Sequence, residues 1–248
     1  MQLQQFFKKN QRIAVAFSGG ADSTYLLYAA KAAGCDVRAY FIKSQFQPKA
    51  ELNDAIRIAA RLGVSLTVDA VNVLDDHKIA SNPPDRCYHC KTRILTRLWE
   101  LARTDGYKVL CDGTNADDEE SDRPGMRALR EQGVLSPLRI CGVTKSEVRE
   151  LSKQADLVTH DKPSYACLAT RIPTGTPATV RLLEKIERAE VALFGMGFTD
   201  LRVRFAPPGG VRIELPDSQI EEAAARRGEI LAAMQPTFDT VVLNLKSR

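Results

Sequence analysis

The segment Ile13–Ser23, with the sequence IAVAFSGGADS, constrains the fold of this chain more than any other. Its five apolar residues predict a buried parallel strand, and the pattern that follows predicts a helix over 24–33. The two glycines between them lack a Cβ, so the backbone can bring its N–H groups close to an anion at the helix N-terminus. The segment therefore predicts a phosphate-binding turn between a strand and a helix.

The side chains of this turn indicate which phosphate ligand it takes. Ser18 and Ser23 can add hydroxyl donors, and Asp22 is placed to bind Mg²⁺. A Walker loop would place a lysine after its second glycine, and none follows Gly20. The turn instead resembles the PP-loop of the N-type ATP pyrophosphatases, which cut ATP into AMP and pyrophosphate. The resemblance implies an ATP site formed by Ser18, Gly19, Gly20, Asp22 and Ser23.

The order of apolar runs predicts the fold class. Strands expected over 37–42, 66–73 and 107–111 alternate with helical patterns such as Lys49–Leu62. Such alternation predicts an α/β fold with a doubly wound parallel sheet. Ligands of such sheets bind at the carboxyl ends of the strands, where the PP-loop lies.

A loop rich in proline and small residues divides the chain. The expected organisation is a PP-loop ATP pyrophosphatase domain over 1–162, a hinge loop over 163–176 and a small α+β domain over 177–248. The last domain is predicted to contain strands at 201–205, 211–215 and 240–245 and a helix over 218–234.

Composition excludes several classes of protein. The net charge of the 248 residues is only +4, which does not indicate a nucleic-acid binder. No apolar run approaches the length of a membrane span, and the N-terminus lacks a signal-peptide core, so we expect a cytoplasmic protein without a membrane partner. Six cysteines are too few and too scattered for a disulfide scaffold.

Three of the cysteines lie in segments suited to chemistry. Cys87 and Cys90 form a CxxC motif at the predicted start of a helix, where the helix dipole favours the thiolate. Cys167 lies alone in the hinge loop. By itself CxxC also fits half of a structural zinc site or a redox pair. The other three, Cys35, Cys111 and Cys141, are expected to be small buried residues.

Two further segments carry candidate binding residues. The acidic loop after the strand at 107–111 offers Gly113, Thr114, Asn115 and Asp117 to a nucleotide and Mg²⁺, although such a loop can also be a solvated charge run. Arg202 and Arg204 leave the same face of a predicted strand, which indicates a phosphate site. The alternatives for these arginines are pairing with Glu214 or simple solvation.

Four motifs together resemble the LarE family of ATP-dependent sulfur transferases, which build the nickel-pincer nucleotide cofactor. They are the PP-loop, the loop with Gly113–Asp118 and Asp122–Gly125, the segment Pro163–Arg171, and Arg202-Val203-Arg204. The resemblance implies adenylation of a carboxylate on a pyridinium dicarboxylate mononucleotide, release of pyrophosphate, and replacement of the adenylate by sulfur.

The same resemblance implies roles for individual residues. Arg202 and Arg204 would hold the substrate phosphate, Arg171 would lie by the reacting centre, and Glu190 would be a further active-site carboxylate. Thr170 stands where the family more often has serine, and its hydroxyl would serve the same site.

The resemblance offers two sulfur sources. In single-cysteine members the residue matching Cys167 is sacrificed and becomes dehydroalanine. This sequence also carries Cys87 and Cys90, as do members that resemble cluster-binding sulfur transferases. In those enzymes three thiolates hold a 4Fe–4S cluster and leave one iron open to sulfide. The implied cofactors are ATP, Mg²⁺ and this cluster, with sulfide or a cysteine desulfurase as the supply and a homo-oligomer as the assembly.

Other functions fit parts of the pattern. A PP-loop tRNA thiolase can also combine the loop with three cysteines, although the charge does not favour RNA. An amide-forming, AMP-producing synthetase would leave the cysteines unused. A nucleotide-binding regulator would hold ATP without releasing pyrophosphate.

Overall fold

The computed structural model describes residues 2–118 and 124–247. They form two compact units, an N-terminal one of Met1–Val73 with Asp85–Ser164 and a C-terminal one of Leu74–Pro84 with Tyr165–Arg248. The sequence did not predict that the short segment Leu74–Pro84 groups with the later part of the chain. The end of the acidic loop, including Asp122 and Arg123, lies outside the described residues.

A four-stranded parallel sheet forms the centre of the N-terminal unit, as predicted. Its strands are β1 (Arg12–Ala16), β2 (Asp36–Lys43), β3 (Leu66–Ala70) and β4 (Leu110–Cys111), in the order β3-β2-β1-β4. The register pairs Ala14 with Leu110 and Val15 with Cys111, all fully buried. The carboxyl ends of β1 and β4 are therefore neighbours, and the loops that follow them start side by side.

Helices cover this sheet, and their ends follow local sequence rules. Helix α3 ends at Gly63, whose φ of +61° suits glycine, and α8 begins at a capping box formed by Thr144 and Glu147, as its sequence predicts. The helices of the unit are α1 (Leu3–Lys9), α2 (Ala21–Ala32), α3 (Lys49–Leu62), α5 (Arg86–Thr104), α6 (Pro124–Glu131), α7 (Pro137–Ile140) and α8 (Lys145–Gln154).

The C-terminal unit is a small α+β fold with its own core. Strands β5 (Arg202–Ala206) and β6 (Gly210–Glu214) pair antiparallel, and β7 (Val241–Leu243) joins β6 in parallel. Buried side chains such as Leu193, Val203 and Met234 fill the space between this sheet and its helices. The helices are α4 (His77–Ala80), α9 (Val180–Gly195), α10 (Ile220–Ala225) and α11 (Arg227–Met234).

Three predicted elements are wrong in detail. The strand predicted over 107–111 is only Leu110–Cys111. The third strand ends at Ala70, and a 3-10 turn over Val73–Asp75 replaces its predicted end. The single helix predicted over 218–234 is two helices that meet at Arg226. The Arg226 guanidinium donates to the carbonyl oxygen of Met196, 2.9 Å away, and this tertiary contact accompanies the break.

Within residues 2–118 and 124–247, none of the helices has the length and apolar character that crossing a bilayer requires.

Candidate active site

The PP-loop connects β1 to α2 and is folded on itself by its serines. The hydroxyl oxygens of Ser18 and Ser23 are 3.0 Å apart, and the Gly20 N–H donates to Ser18 Oγ over 3.3 Å. Gly20 is the N-cap of α2 and brings no side chain of its own to the N–H groups of the first turn. These donors and the positive end of the helix dipole suit a bound phosphate.

Two glycines allow close packing around the PP-loop, one against α3 and one between the loops after β1 and β4. Gly19 has a φ of +72°, and a Cβ there would lie 3.3 Å from the backbone of Ala55 in α3. A Cβ on Gly113 would lie 2.7 Å from the backbone nitrogen of Ser23. Only glycine therefore lets the β4 loop pack directly on the first turn of α2.

This packing places Asn115 beside the predicted magnesium ligand Asp22. The Asn115 amide donates to Asp22 Oδ1 over 3.2 Å. Burial raises the pKa of Asp22, and the charge of Asp118 acts in the same direction, while the Asn115 hydrogen bond and the charges of Lys145 and Arg149 oppose it. A bound cation would favour the charged form of this carboxylate.

The side chains of Thr114 and Asp117, also predicted in the β4 loop, form hydrogen bonds with other groups of the protein. Thr114 donates to the buried carboxylate of Asp112 over 2.6 Å, and Ser136 donates to the same carboxylate over 2.6 Å. Asp117 accepts from the backbone N–H of Lys145 at the start of α8 over 2.8 Å. Their side chains hold the loop against its neighbours. Asp112, whose carboxylate accepts the hydrogen bonds of Thr114 and Ser136, was not among the predicted site residues.

Lys162 is a residue of the PP-loop site that sequence reasoning missed. Its ammonium group donates to the carbonyl oxygen of Gly19 over 3.1 Å and to Asp54 of α3 over 2.7 Å. Arg149 donates to the carbonyl oxygen of Lys162 over 3.0 Å. The PP-loop lacks a Walker lysine in sequence, yet a cation from 143 residues later lies against it. No local sequence signal marks this contact.

The CxxC motif lies in the first turn of α5, as predicted. Cys87 is exposed and Cys90 is half-buried, and neither forms a disulfide. The guanidinium of Arg86 is 3.7 Å from the Cys87 sulfur. The motif thus lies at a helix N-terminus with a guanidinium group beside its first cysteine.

In the C-terminal unit, two of the predicted residues contact the backbone of Cys167, and a third supports one of them. The carbonyl oxygen of Cys167 accepts from the Thr170 hydroxyl over 2.8 Å and from the Arg171 guanidinium over 3.3 Å. Arg171 is fully buried and pairs with Glu190, with Nε 2.9 Å from Oε1. Glu190 also accepts from the backbone N–H of Val203 in β5. The predicted Arg171 and Glu190 thus form a buried ion pair that supports Cys167 through its main chain.

Tyr165 joins this cluster and had not been predicted as a site residue. Its hydroxyl donates to Glu190, and the guanidinium carbons of Arg171 and Arg202 lie 4.4 and 4.8 Å from the centre of its ring. Burial and the neighbouring Glu190 charge raise the pKa of Tyr165. The tyrosine therefore stays neutral and acts as a hydrogen-bond donor.

The paired arginines of β5 have close protein partners. Arg204 donates to Glu214 over 2.6 Å, and Arg212 shares that carboxylate at 3.0 Å. Burial by itself would raise the pKa of Glu214, but the two arginines outweigh it and hold the pKa below its usual range. Arg202 is 4% exposed and lies 3.9 Å from Asp200. Pairing with Glu214, one of the alternatives open from the sequence, is thus observed for Arg204.

The three candidate cysteines are divided between the units, with Cys87 and Cys90 in the first and Cys167 in the second. In the part of the chain that the structure describes, no three His, Cys, Asp or Glu side chains gather into a group that could hold a metal ion. The donor chemistry still fits a cluster, since none of the three thiols is used in a disulfide.

A glycine-rich loop at the carboxyl end of the central strand of a parallel sheet, folded around a helix N-terminus, defines a nucleotide-binding α/β protein. The family model described as the PP-loop domain matches residues 1–153. The pyridinium-3,5-bisthiocarboxylic acid mononucleotide synthase of Lactiplantibacillus plantarum is 34% identical over 215 residues, 86% of this chain and 78% of that protein. The chain belongs to the PP-loop family and, within it, to the LarE family of ATP-dependent sulfurtransferases.

Two other relatives show the breadth of the family. An uncharacterised protein of Synechocystis is 37% identical over 221 residues, 89% of this chain and 82% of its own. The tRNA-specific 2-thiouridylase MnmA of Hahella chejuensis is 25% identical over 189 residues, 62% of this chain and 52% of its own.

Proposed function

We propose that this protein adenylates a carboxylate of pyridinium-3,5-biscarboxylic acid mononucleotide and converts it to a thiocarboxylate. The observation that carries the proposal is the PP-loop with Gly113 packed on its helix, in a chain 34% identical to a synthase of the bisthiocarboxylic acid. A carboxylate is a poor electrophile because its oxygens are poor leaving groups. Attack of one oxygen on the α-phosphorus of ATP forms the acyl adenylate and releases pyrophosphate.

The residues of the N-terminal unit account for the first half-reaction. The N–H groups of Gly19 and Gly20 and the hydroxyls of Ser18 and Ser23 would bind the departing pyrophosphate. Asp22 would hold Mg²⁺, which supplies charge neutralisation on the phosphates. Gly113, Thr114, Asn115 and Asp117 would shape the nucleotide site, and Lys162 keeps the loop in place from its other side.

The residues of the C-terminal unit would bind the substrate. Arg202 and Arg204 would hold its phosphate, with Thr170 and Glu190 in the same site. Arg204 and Arg212 share the carboxylate of Glu214, and Arg202 lies 3.9 Å from Asp200, so guanidinium groups suited to an anion are gathered at this end of the β5–β6 pair.

Sulfur then replaces AMP at the activated carbonyl. A thiolate or hydrosulfide attacks the carbonyl carbon, the C–S bond forms, and the bond to the AMP oxygen breaks. We propose Cys87, Cys90 and Cys167 as ligands of a 4Fe–4S cluster, which would supply sulfide at an open iron and make turnover catalytic. The other source is Cys167 itself, which would lose its Cα proton and its sulfur to become dehydroalanine.

Two measurements test this proposal. Anaerobically purified protein with ATP, Mg²⁺ and the dicarboxylate nucleotide should release AMP and pyrophosphate in equal amounts and yield a product in which sulfur replaces oxygen. Iron and acid-labile sulfide should each be about four per chain and disappear in Cys87→Ala, Cys90→Ala and Cys167→Ala. Cys141→Ala is the matched control, because Cys141 is half-buried like Cys90 and Cys167. This variant should keep both the iron and the acid-labile sulfide.

The outcomes separate the alternatives. Thiocarboxylate formation without iron, with dehydroalanine at position 167, identifies a sacrificial donor and refutes the cluster. ATP binding without pyrophosphate release refutes the enzyme and favours a regulator. Full turnover in Cys167→Ala would favour an amide-forming synthetase.

A tRNA thiolase is the second candidate because of the 25% identity to the 2-thiouridylase. Binding of labelled tRNA at physiological salt, followed by thiolation of a uridine, would support it. The small net charge of +4 makes the nucleotide substrate the better fit.

Three properties that we expect from the sequence stay predictions. They are supply by sulfide or a cysteine desulfurase, assembly as a homo-oligomer, and a cytoplasmic location.

A further inference from the structure

Asn82 is a buried residue in an uncommon backbone conformation. Its φ is 57°, in the left-handed region, and it is only 1% exposed. Asparagine tolerates this region better than most residues, but a fully buried amide must also find partners for its N–H groups. The contacts of this side chain therefore indicate why asparagine occupies the position.

The side-chain amide of Asn82 binds three carbonyl groups of one turn. Nδ2 donates to the carbonyl oxygens of Ile172, Pro173 and Thr176, at 3.3, 2.8 and 3.1 Å. The backbone completes the clamp, because the N–H of Gly175 donates to the carbonyl oxygen of Asn82 over 2.8 Å. A single residue thus closes the turn 172–176 from both its side chain and its main chain.

The turn 172–176 comes directly after the support of Cys167. The 3-10 turn Leu168–Arg171 begins next to Cys167, and the N–H of Ile172 donates to the carbonyl oxygen of Ala169 over 3.2 Å. Loosening the turn at 172–176 would release the end of this 3-10 turn, whose residues Thr170 and Arg171 bind the Cys167 carbonyl oxygen.

Asn82 also lies in the chain segment that leads to the CxxC motif. Leu74–Pro84 groups with the C-terminal unit although the chain on both sides of it belongs to the N-terminal unit. A second backbone bond, from the N–H of Ala178 to the carbonyl oxygen of Ala80 over 2.7 Å, supports the same attachment. Cys87 follows within a few residues.

We propose that Asn82 is a positioning residue for sulfur delivery, which ties the segment leading into Cys87 to the turn that supports Cys167. This inference rests on the proposed function and deepens it, because it assigns a role to a residue outside the ATP and substrate sites proposed above. It acts by holding the turn 172–176, and through it the 3-10 turn that binds the Cys167 carbonyl oxygen.

Two substitutions separate the amide from the backbone conformation. Asn82→Asp keeps the size and the tolerance of positive φ but faces three carbonyl oxygens with carboxylate oxygens. Asn82→Gly keeps the conformation and removes the side chain, and it serves if the aspartate variant does not fold. Ser81→Ala is the matched control, because Ser81 lies in the same segment and its hydroxyl donates to the carbonyl oxygen of His77, one helical turn earlier.

The first experiment compares the two half-reactions at saturating substrate. We expect thiocarboxylate formation in both Asn82 variants to fall about 10- to 100-fold, since small displacements of reacting groups cost this much. Pyrophosphate–ATP exchange, which reports adenylation, should stay within about twofold of the unsubstituted protein. Equal loss of both half-reactions, or no loss of either, would overturn the proposal.

The second experiment needs no catalysis and so separates this proposal from the proposed function. Alkylation by iodoacetamide, followed residue by residue by mass spectrometry in protein free of iron, should be faster at Cys167 in the Asn82 variants by about fivefold or more, because local opening controls access. The rate at Cys35, in the N-terminal unit, should not change, and Ser81→Ala should match the unsubstituted protein. Unchanged alkylation of Cys167 would overturn the clamp even if the enzyme proves to have another activity.

Discussion

Replacing Lys162 by methionine tests whether a distant lysine holds the PP-loop. The substitution keeps most of the apolar stem and removes the ammonium group that bridges Gly19 and Asp54. The side chains of Lys162 and Asp54 are 25% and 27% exposed, so solvent screens their interaction only in part. The carbonyl oxygen of Gly19 would also lose this donor.

The structure sets the expected coupling free energy between Lys162 and Asp54. Hydrogen bonds to charged groups contribute about 1.5–3 kcal/mol, and the partial exposure and the second partner of Asp54, Arg57, place this pair near the lower end. We therefore expect a coupling free energy of about 1.5 kcal/mol between Lys162 and Asp54 in a double-mutant cycle.

The single tryptophan makes the assay specific to the N-terminal unit. Trp99 lies in α5, and its fluorescence during urea unfolding would give the free energy of unfolding for Lys162→Met, Asp54→Asn and the double variant. The matched control is the pair Arg61 and Asp156, whose side chains are 56% and 96% exposed. Its coupling should be indistinguishable from zero.

The coupling should depend on pH in a defined direction. Burial by itself would raise the pKa of Asp54, but the hydrogen bonds from Lys162 and Arg57 outweigh it and hold the pKa below its usual range. A lowered pKa stabilises the folded state above the unfolded pKa, and this stabilisation is lost as the pH falls through the folded value. The coupling should thus be constant from about pH 7 to pH 5 and shrink below about pH 4.

The reasoning fails if the coupling is absent at neutral pH, or if it grows as the pH falls. A functional result bears on it as well. Lys162→Met should raise the ATP concentration needed for half-maximal pyrophosphate exchange by more than Arg61→Met does.

Three shorter predictions follow from other contacts. Gly113→Ala should abolish pyrophosphate exchange, because its Cβ would lie 2.7 Å from a backbone nitrogen of α2, while circular dichroism stays close to that of the unsubstituted protein. Glu190→Gln should destabilise the C-terminal unit by about 3 kcal/mol, measured by hydrogen exchange in β5, because Arg171 would remain buried without its counter-charge; normal protection would contradict this. Cys111 should resist iodoacetamide at pH 8 while the exposed Cys87 reacts, because burial raises the pKa of the Cys111 thiol; comparable rates would refute the assignment.

Local patterns in the sequence determined the elements and the nucleotide loop. The strand, glycine turn and helix at 13–33 and the capping box at Thr144 follow from neighbouring residues, and so does the CxxC motif in the first turn of α5. Each depends on backbone conformation or side-chain spacing within a few positions, which a sequence displays directly. The parallel sheet follows from the alternation of these elements.

The tertiary structure alone decided which distant residues meet. Lys162 binds the PP-loop although 143 residues separate it from Gly19. Asn82 binds the carbonyl groups of a turn that lies some 90 residues later, and Glu190 forms a buried ion pair with Arg171. At the break between α10 and α11, the Arg226 side chain likewise binds a distant carbonyl group, that of Met196. Such contacts depend on how whole elements pack, and a buried charge or amide takes the partner that packing brings to it. A local sequence pattern does not indicate that partner, so these contacts could be identified only in the folded chain.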